Sequence, residues 1–197
     1  MKRILLATFL ATLVTFFFGA FFWMNPLANN SVRSVEDDTK VQSFLKENFP
    51  QAGTYTIPDW RQEEKEFHKK AEAGPVAILQ VVESNGPSKM GAMMGKGFLS
   101  QLITVFVLCL LVNSCLTALP IYGDRVRFCT LVGLIAALFI DGGNMIWWHQ
   151  SVSFTLFNGV YHIFSCVLAG LVIAKFVRPE QEKSSITQAG EPQAQTT

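Results

Sequence analysis

Between Ile4 and Met24 the chain reads ILLATFLATLVTFFFGAFFWM, 21 residues without a charge. A helix rises 1.5 Å per residue, so this run spans the roughly 30 Å hydrocarbon layer of a bilayer. Three further apolar runs of similar length follow, at 98–119, 128–148 and 154–174. In lipid every backbone N–H and C=O needs an internal partner, so four such runs leave few options beyond four helices.

The expected fold class is therefore an integral membrane protein, mainly α, with four transmembrane helices. Residues 1–25 form an N-terminal helix, and 98–175 form a three-helix bundle running up, down and up, joined by short loops. Residues 26–97 form a small extracytoplasmic α/β domain and its linker. The tail, 176–197, is rich in Gln, Glu, Ser, Thr and Ala and is expected to be disordered. Charged residues make up 16% of the chain, below the usual soluble average of about 25%, and most occupy the central segment and the tail.

Lys2 and Arg3 ahead of the first run resemble the start of a secretory signal. The apolar run is longer than the usual 7–15 residues of such signals, and Pro26-Leu27-Ala28 offers no A-x-A cleavage pattern, so it reads as an uncleaved anchor. Short loops rich in Lys and Arg stay cytoplasmic. Lys2 and Arg3, then Arg125 and Arg127, then Lys175, Arg178 and Lys183 mark three such places, while residues 149–153 carry neither Lys nor Arg. The expectation is a bacterial-type inner-membrane protein with both termini cytoplasmic and 26–97 outside. The basic residues of 26–97 do not oppose this, because long segments translocate largely regardless of charge.

Cys109, Cys115, Cys129 and Cys166 all fall in apolar runs, so no disulfide framework is available outside, and no C-x-x-C pair occurs. They read as small packing residues. The outside segment carries nine basic and ten acidic residues, which excludes a basic nucleic-acid surface. Its pattern predicts a helix after Ser34 with Val41, Phe44, Leu45 and Phe49 on one face, a strand over 54–57, a helix from Asp59 to Ala73 and a strand over 76–82. So small a unit buries a limited core and is expected to lean on the bilayer, a membrane or periplasmic protein partner, or a second copy.

No G-x-S-x-G, H-E-x-x-H, P-loop or G-x-G-x-x-G pattern occurs, so an enzyme is not expected and nothing calls for a cofactor or a metal. His68, among charged neighbours, reads as a solvated histidine. Met90, Met93 and Met94 in the linker offer thioethers to Cu(I), but a flexible turn resting on lipid headgroups explains the Gly, Met and Lys there without metal.

Asp141 is the exception in the third run, because an intramembrane carboxylate is costly and usually marks function. Pairing the third and fourth runs about a loop near residue 151 sets Asp141 level with His162 and Asn144 level with Asn158. The spacings of three and four residues put each pair on one helix face. Gly133, Ala137, Ser165 and Ala169 continue these faces as a small-residue seam, and Ala11, Thr15 and Gly19 give the first run another. Gln101, Thr104 and His149 are candidate extensions of the cluster. Four readings stay open: helix-register bonds, a proton or cation relay, a metal or haem site through His149 and His162, and a lipid or quinone groove near Trp147, Trp148, Phe154 and Tyr161.

Taken together, the sequence points to a non-enzymatic multi-pass membrane component that binds a partner through its outside domain. The alternative is a small transport, proton-coupling or ligand-sensing protein centred on Asp141, Asn144, Asn158 and His162.

Overall fold

The computed structural model describes residues 1–82 and 86–179. Its elements run α1 (Lys2–Trp23), α2 (Pro26–Asn29), α3 (Asp38–Asn48), β1 (Gly53–Ile57), α4 (Glu64–Ala73), β2 (Ala77–Val81), α5 (Pro87–Ser114), α6 (Tyr122–Ala136), a π-helical turn (Ala137–Asp141), α7 (Gly142–Trp147) and α8 (Val152–Phe176). The chain is mostly helical, and four helices are long and apolar enough to cross a membrane: α1, α5, α6 continued through the π turn and α7, and α8. From residue 180 onward, the tail expected to be disordered lies outside the described residues.

Two compact units result. One holds Met1–Val32 and the chain from Met94 on; the other is Arg33–Met93.

In the helical unit, side-chain size decides which face of α1 turns inward. Ile4, Ala7, Thr8, Ala11, Thr12, Thr15 and Gly19 are buried, whereas Phe9, Phe17 and Phe21 are exposed. The threonines are buried without an orphaned hydroxyl, because each donates to the carbonyl four residues back: Thr8 to Ile4 and Thr12 to Thr8 at 2.8 Å, and Thr15 to Ala11 at 2.9 Å. This face meets Val105, Leu108, Cys109 and Val112 of α5 and Ala169 and Ile173 of α8 in one core. Ring contacts fix the directions. Phe18 stacks on Tyr161 and Phe22 packs 4.4 Å from Phe157, so α1 and α8 run antiparallel.

α6 and α8 approach still more closely. A Cβ added at Gly133 would sit 2.7 Å from Cys166 Cβ, and one at Gly170 would sit 2.8 Å from Cys129 Cβ. Four residues forward on α6 therefore match four back on α8. This register differs by about one turn from simple pairing about residue 151, which would set Cys129 against Ile173. The fit of cysteine side chains against bare glycine backbone selects it.

Two boundaries also differ from the sequence pattern. The Met- and Gly-rich segment around 90–97 is not a turn but the first part of α5, which starts with Pro at the first helical position, where its missing N–H costs nothing. Its glycines each cost about 1 kcal/mol of helix propensity, and continuity with the apolar run that follows overrides that. Arg125, expected in a loop, lies in α6 and is only 1% exposed. Its Nη1 donates to the carbonyls of Leu119 (3.1 Å) and Pro120 (2.9 Å) and so closes the α5–α6 turn.

In the second unit β1 and β2 pair antiparallel, Gly53 opposite Val81 and Ile57 opposite Ala77. The Asp37 carboxylate caps α3 by accepting from the Lys40 N–H at 2.9 Å. α4 starts at Glu64 rather than near Asp59, because the Asp59 carboxylate folds back to accept from the Arg61 N–H at 2.9 Å and its Nη2 at 2.7 Å. His68 is exposed beside Glu64. No residue of 33–93 whose side chain is described is buried.

Two tests follow. Gly133→Ala should destabilise the folded protein in detergent by about 1–3 kcal/mol through overpacking, whereas Gly143→Ala, with nothing within 4 Å of the new Cβ, should be neutral or mildly stabilising; denaturant unfolding followed by Trp fluorescence compares them. The second concerns Asp59, which the Arg61 side chain holds down at about 2 from an ordinary 3.8. A depressed carboxyl contributes fully above 3.8 and loses its contribution as pH falls through about 2. Carboxyl NMR should give that midpoint, and Arg61→Ala should move it back towards 3.8.

Candidate functional site

Gly133, Ala137 and Asp141 recur every four residues and all are buried. In an α-helix of 3.6 residues per turn such a row would drift by about 40° at each step. The wider π turn absorbs this drift, with the Gly142 N–H bonded to the Ala137 carbonyl five residues back. Single π turns of this kind are frequent at functional sites. Asp141, at the end of the turn, thus keeps to the α6–α8 seam and is 2% exposed.

Across the seam stands His162. Its Nδ1 lies 2.7 Å from Asp141 Oδ2, and its side chain is a third exposed. The backbone is equally confined, since the His162 carbonyl lies 3.0 Å from where a Gly133 Cβ would be. The next residue back, Tyr161, turns to α1, where its Oη would touch a Cβ at Gly19 at 3.0 Å and its ring packs among Phe18, Phe22 and Trp23.

The remaining candidates take other places. Asn144 and Asn158 are half-buried, and among the described residues their side chains make no hydrogen bond. The Asn144 carbonyl accepts from the N–H groups of Trp148 and Gln150 and so terminates α7. His149, exposed with φ of 52°, lies beyond the end of that helix. Gln101 is half-buried on α5, while Thr104 is exposed and its hydroxyl donates to the Ser100 carbonyl of its own helix.

Among the described residues no group of three or more His, Cys, Asp and Glu is placed to hold a metal ion. Of the four aromatic residues considered for a groove, Phe154 packs 6.2 Å and Tyr161 5.8 Å from the Trp23 ring, whereas Trp147 is exposed.

Two side chains flank the pair without having been singled out as polar sites. The hydroxyls of Thr155 and Ser165 are buried and make no hydrogen bond among the described residues. With Asn158 and His162 they recur at intervals of three and four, a polar stripe on one face of α8 that the sequence pattern does carry.

The pair can hold a proton in two ways, with a protonated Nδ1 donating to the carboxylate or a carboxylic acid donating to a neutral ring. No protein-family model, curated protein or solved structure matches the chain.

His162→Ala would leave the Asp141 carboxylate buried without its partner, and Asp141→Asn would keep a hydrogen-bonding group opposite the ring. Unfolding in detergent should show a loss of about 0.5–2 kcal/mol for Asp141→Asn and a clearly larger one for His162→Ala.

Proposed function

We propose that the protein is a non-enzymatic multi-pass component of an inner membrane whose 33–93 unit binds a protein partner on the extracytoplasmic side. The observation that carries this reading is the state of that unit's apolar side chains. Phe44, Trp60, Val76 and Val82 are half or more exposed, and no described side chain of the unit is buried. An isolated two-stranded sheet is marginal in water, and so small a unit needs further apolar cover. Exposed Phe and Trp are also the side chains that protein interfaces favour. Leu45 of α3, Phe49 just after it, Leu79 of β2 and Val82 just after that strand line a groove of about 690 Å³ in this surface.

Orientation follows from the basic flanks: Lys2, Arg3, Arg127, Lys175 and Arg178 on the cytoplasmic side, and the 148–151 loop outside with 26–97. Alkaline phosphatase fused after Gly86 should be active in cells and the same fusion after Gly123 inactive. The opposite pattern contradicts the topology.

For the partner itself, native mass spectrometry of the protein from mildly solubilised membranes should show a stoichiometric protein subunit, a second copy or another chain. Phe44→Glu with Val82→Glu should release that subunit and leave the helical unit folded. A wild-type chain found only as a lone monomer contradicts the reading.

A second reading is favoured by the 2.7 Å Asp141–His162 contact in a seam of apolar helices: a proton-responsive element that sets α6–α8 packing. Under this reading, assembly or activity varies with pH in the wild type, and Asp141→Asn flattens that dependence while the protein stays assembled.

A further inference from the structure

Where α1 begins and α5 and α8 finish, the helical unit opens into a cleft of about 430 Å³. Lys2, Arg3 and Arg178 line it, Asn113 adds a neutral polar group, and Ile4 and Val177, both buried, give it an apolar floor. Among the described residues, no acidic side chain lines the cleft and none of the three cations has a carboxylate within ion-pairing distance.

Three like charges brought to one concavity repel one another unless an anion joins them. The carbonyls at the C-terminus of α8 contribute roughly half a negative charge at this end, which is too little to balance three cations. Basicity is also unevenly spread here, because Arg127 and Lys175 are exposed and outside the cleft. The volume falls in the range of about 300–1,000 Å³ usual for small-molecule sites. Guanidinium groups present paired donors that match phosphate oxygens, and an apolar floor beside them suits a glycerol backbone and the start of its acyl chains.

We propose that this cleft binds the phosphate of an anionic phospholipid head group, with Arg3 and Arg178 as its principal contacts and Lys2 and Asn113 beside them. Basic pockets between helices at the cytoplasmic face recognise lipid head groups in this way. A zwitterionic lipid brings its own cation among these three and is disfavoured. The site requires the four helices to cross a bilayer and is independent of any partner of the 33–93 unit.

Native mass spectrometry of the full chain in mild detergent, titrated separately with phosphatidylglycerol and phosphatidylcholine, tests this. The wild type should retain one phosphatidylglycerol at least tenfold more tightly than phosphatidylcholine. Arg3→Gln with Arg178→Gln should abolish the preference, and Arg3→Lys with Arg178→Lys should keep most of it. Arg127→Gln with Lys175→Gln, which removes the same charge outside the cleft, should bind as wild type. Absence of a preference in the wild type overturns the proposal, as does equal loss in the Arg127/Lys175 variant, which would mean diffuse surface charge. Glycerol phosphate that competes at the same concentration as the lipid also overturns it, in favour of a soluble phosphate ligand.

Discussion

Backbone contact between α6 and α8 at Gly133 and Gly170 governs the helical unit. With no hydrophobic driving force between helices in lipid, association depends on how closely backbones approach and on what polar groups meet there. Cys166 and Cys129 fill the space the glycines leave, so a single added methyl would have to separate the helices. Once that register is set, the π turn delivers Asp141 to the same seam and the carboxylate meets His162. Gly19 plays the corresponding part for α1, giving Tyr161 room to lie against that helix. The polar pair is thus a consequence of close packing, and it in turn penalises any register that would leave Asp141 without a partner.

The two units are stabilised differently. The helical unit satisfies its buried threonines within α1, closes the α5–α6 turn with Arg125 and packs Val112, Cys109 and Ile173 into a continuous core. The 33–93 unit has regular helices, a capped start to α3 and a well-paired two-stranded sheet, but its apolar side chains stay at the surface. Local structure without burial is the feature on which the proposed partner-binding role of this unit rests.

Much of this was legible in the sequence because the signals were long. Uncharged runs reveal spans, and small residues such as Ala11, Thr15 and Gly19 reveal the packed face of α1. Depth and helix face together match Asp141 with His162. What escaped depends on differences of a single residue or a single bond. Nothing in Ala137-Leu138-Phe139-Ile140 announces a π turn, since the turn answers to the seam and not to local propensity. Asn144 and Asn158 share a depth only under simple pairing about residue 151, and among the described residues their side chains make no hydrogen bond. Arg125 counts as a loop cation in any charge tally, and only the carbonyls of Leu119 and Pro120 reveal it as a buried latch. Around Met90 to Gly97, glycine content argued for a turn, and helix propagation from the apolar run won.

The helical unit carries its own core, and the central proposal is that a partner covers the other unit. Hydrogen exchange of the full chain in lipid nanodiscs tests this directly, by comparing amides of β1 and β2 with those in the packed middle of α8. The account predicts that the strand amides exchange orders of magnitude faster than those of α8 in the purified protein and become protected when the stoichiometric partner is present. Strand amides as strongly protected as α8 in the isolated monomer would contradict it.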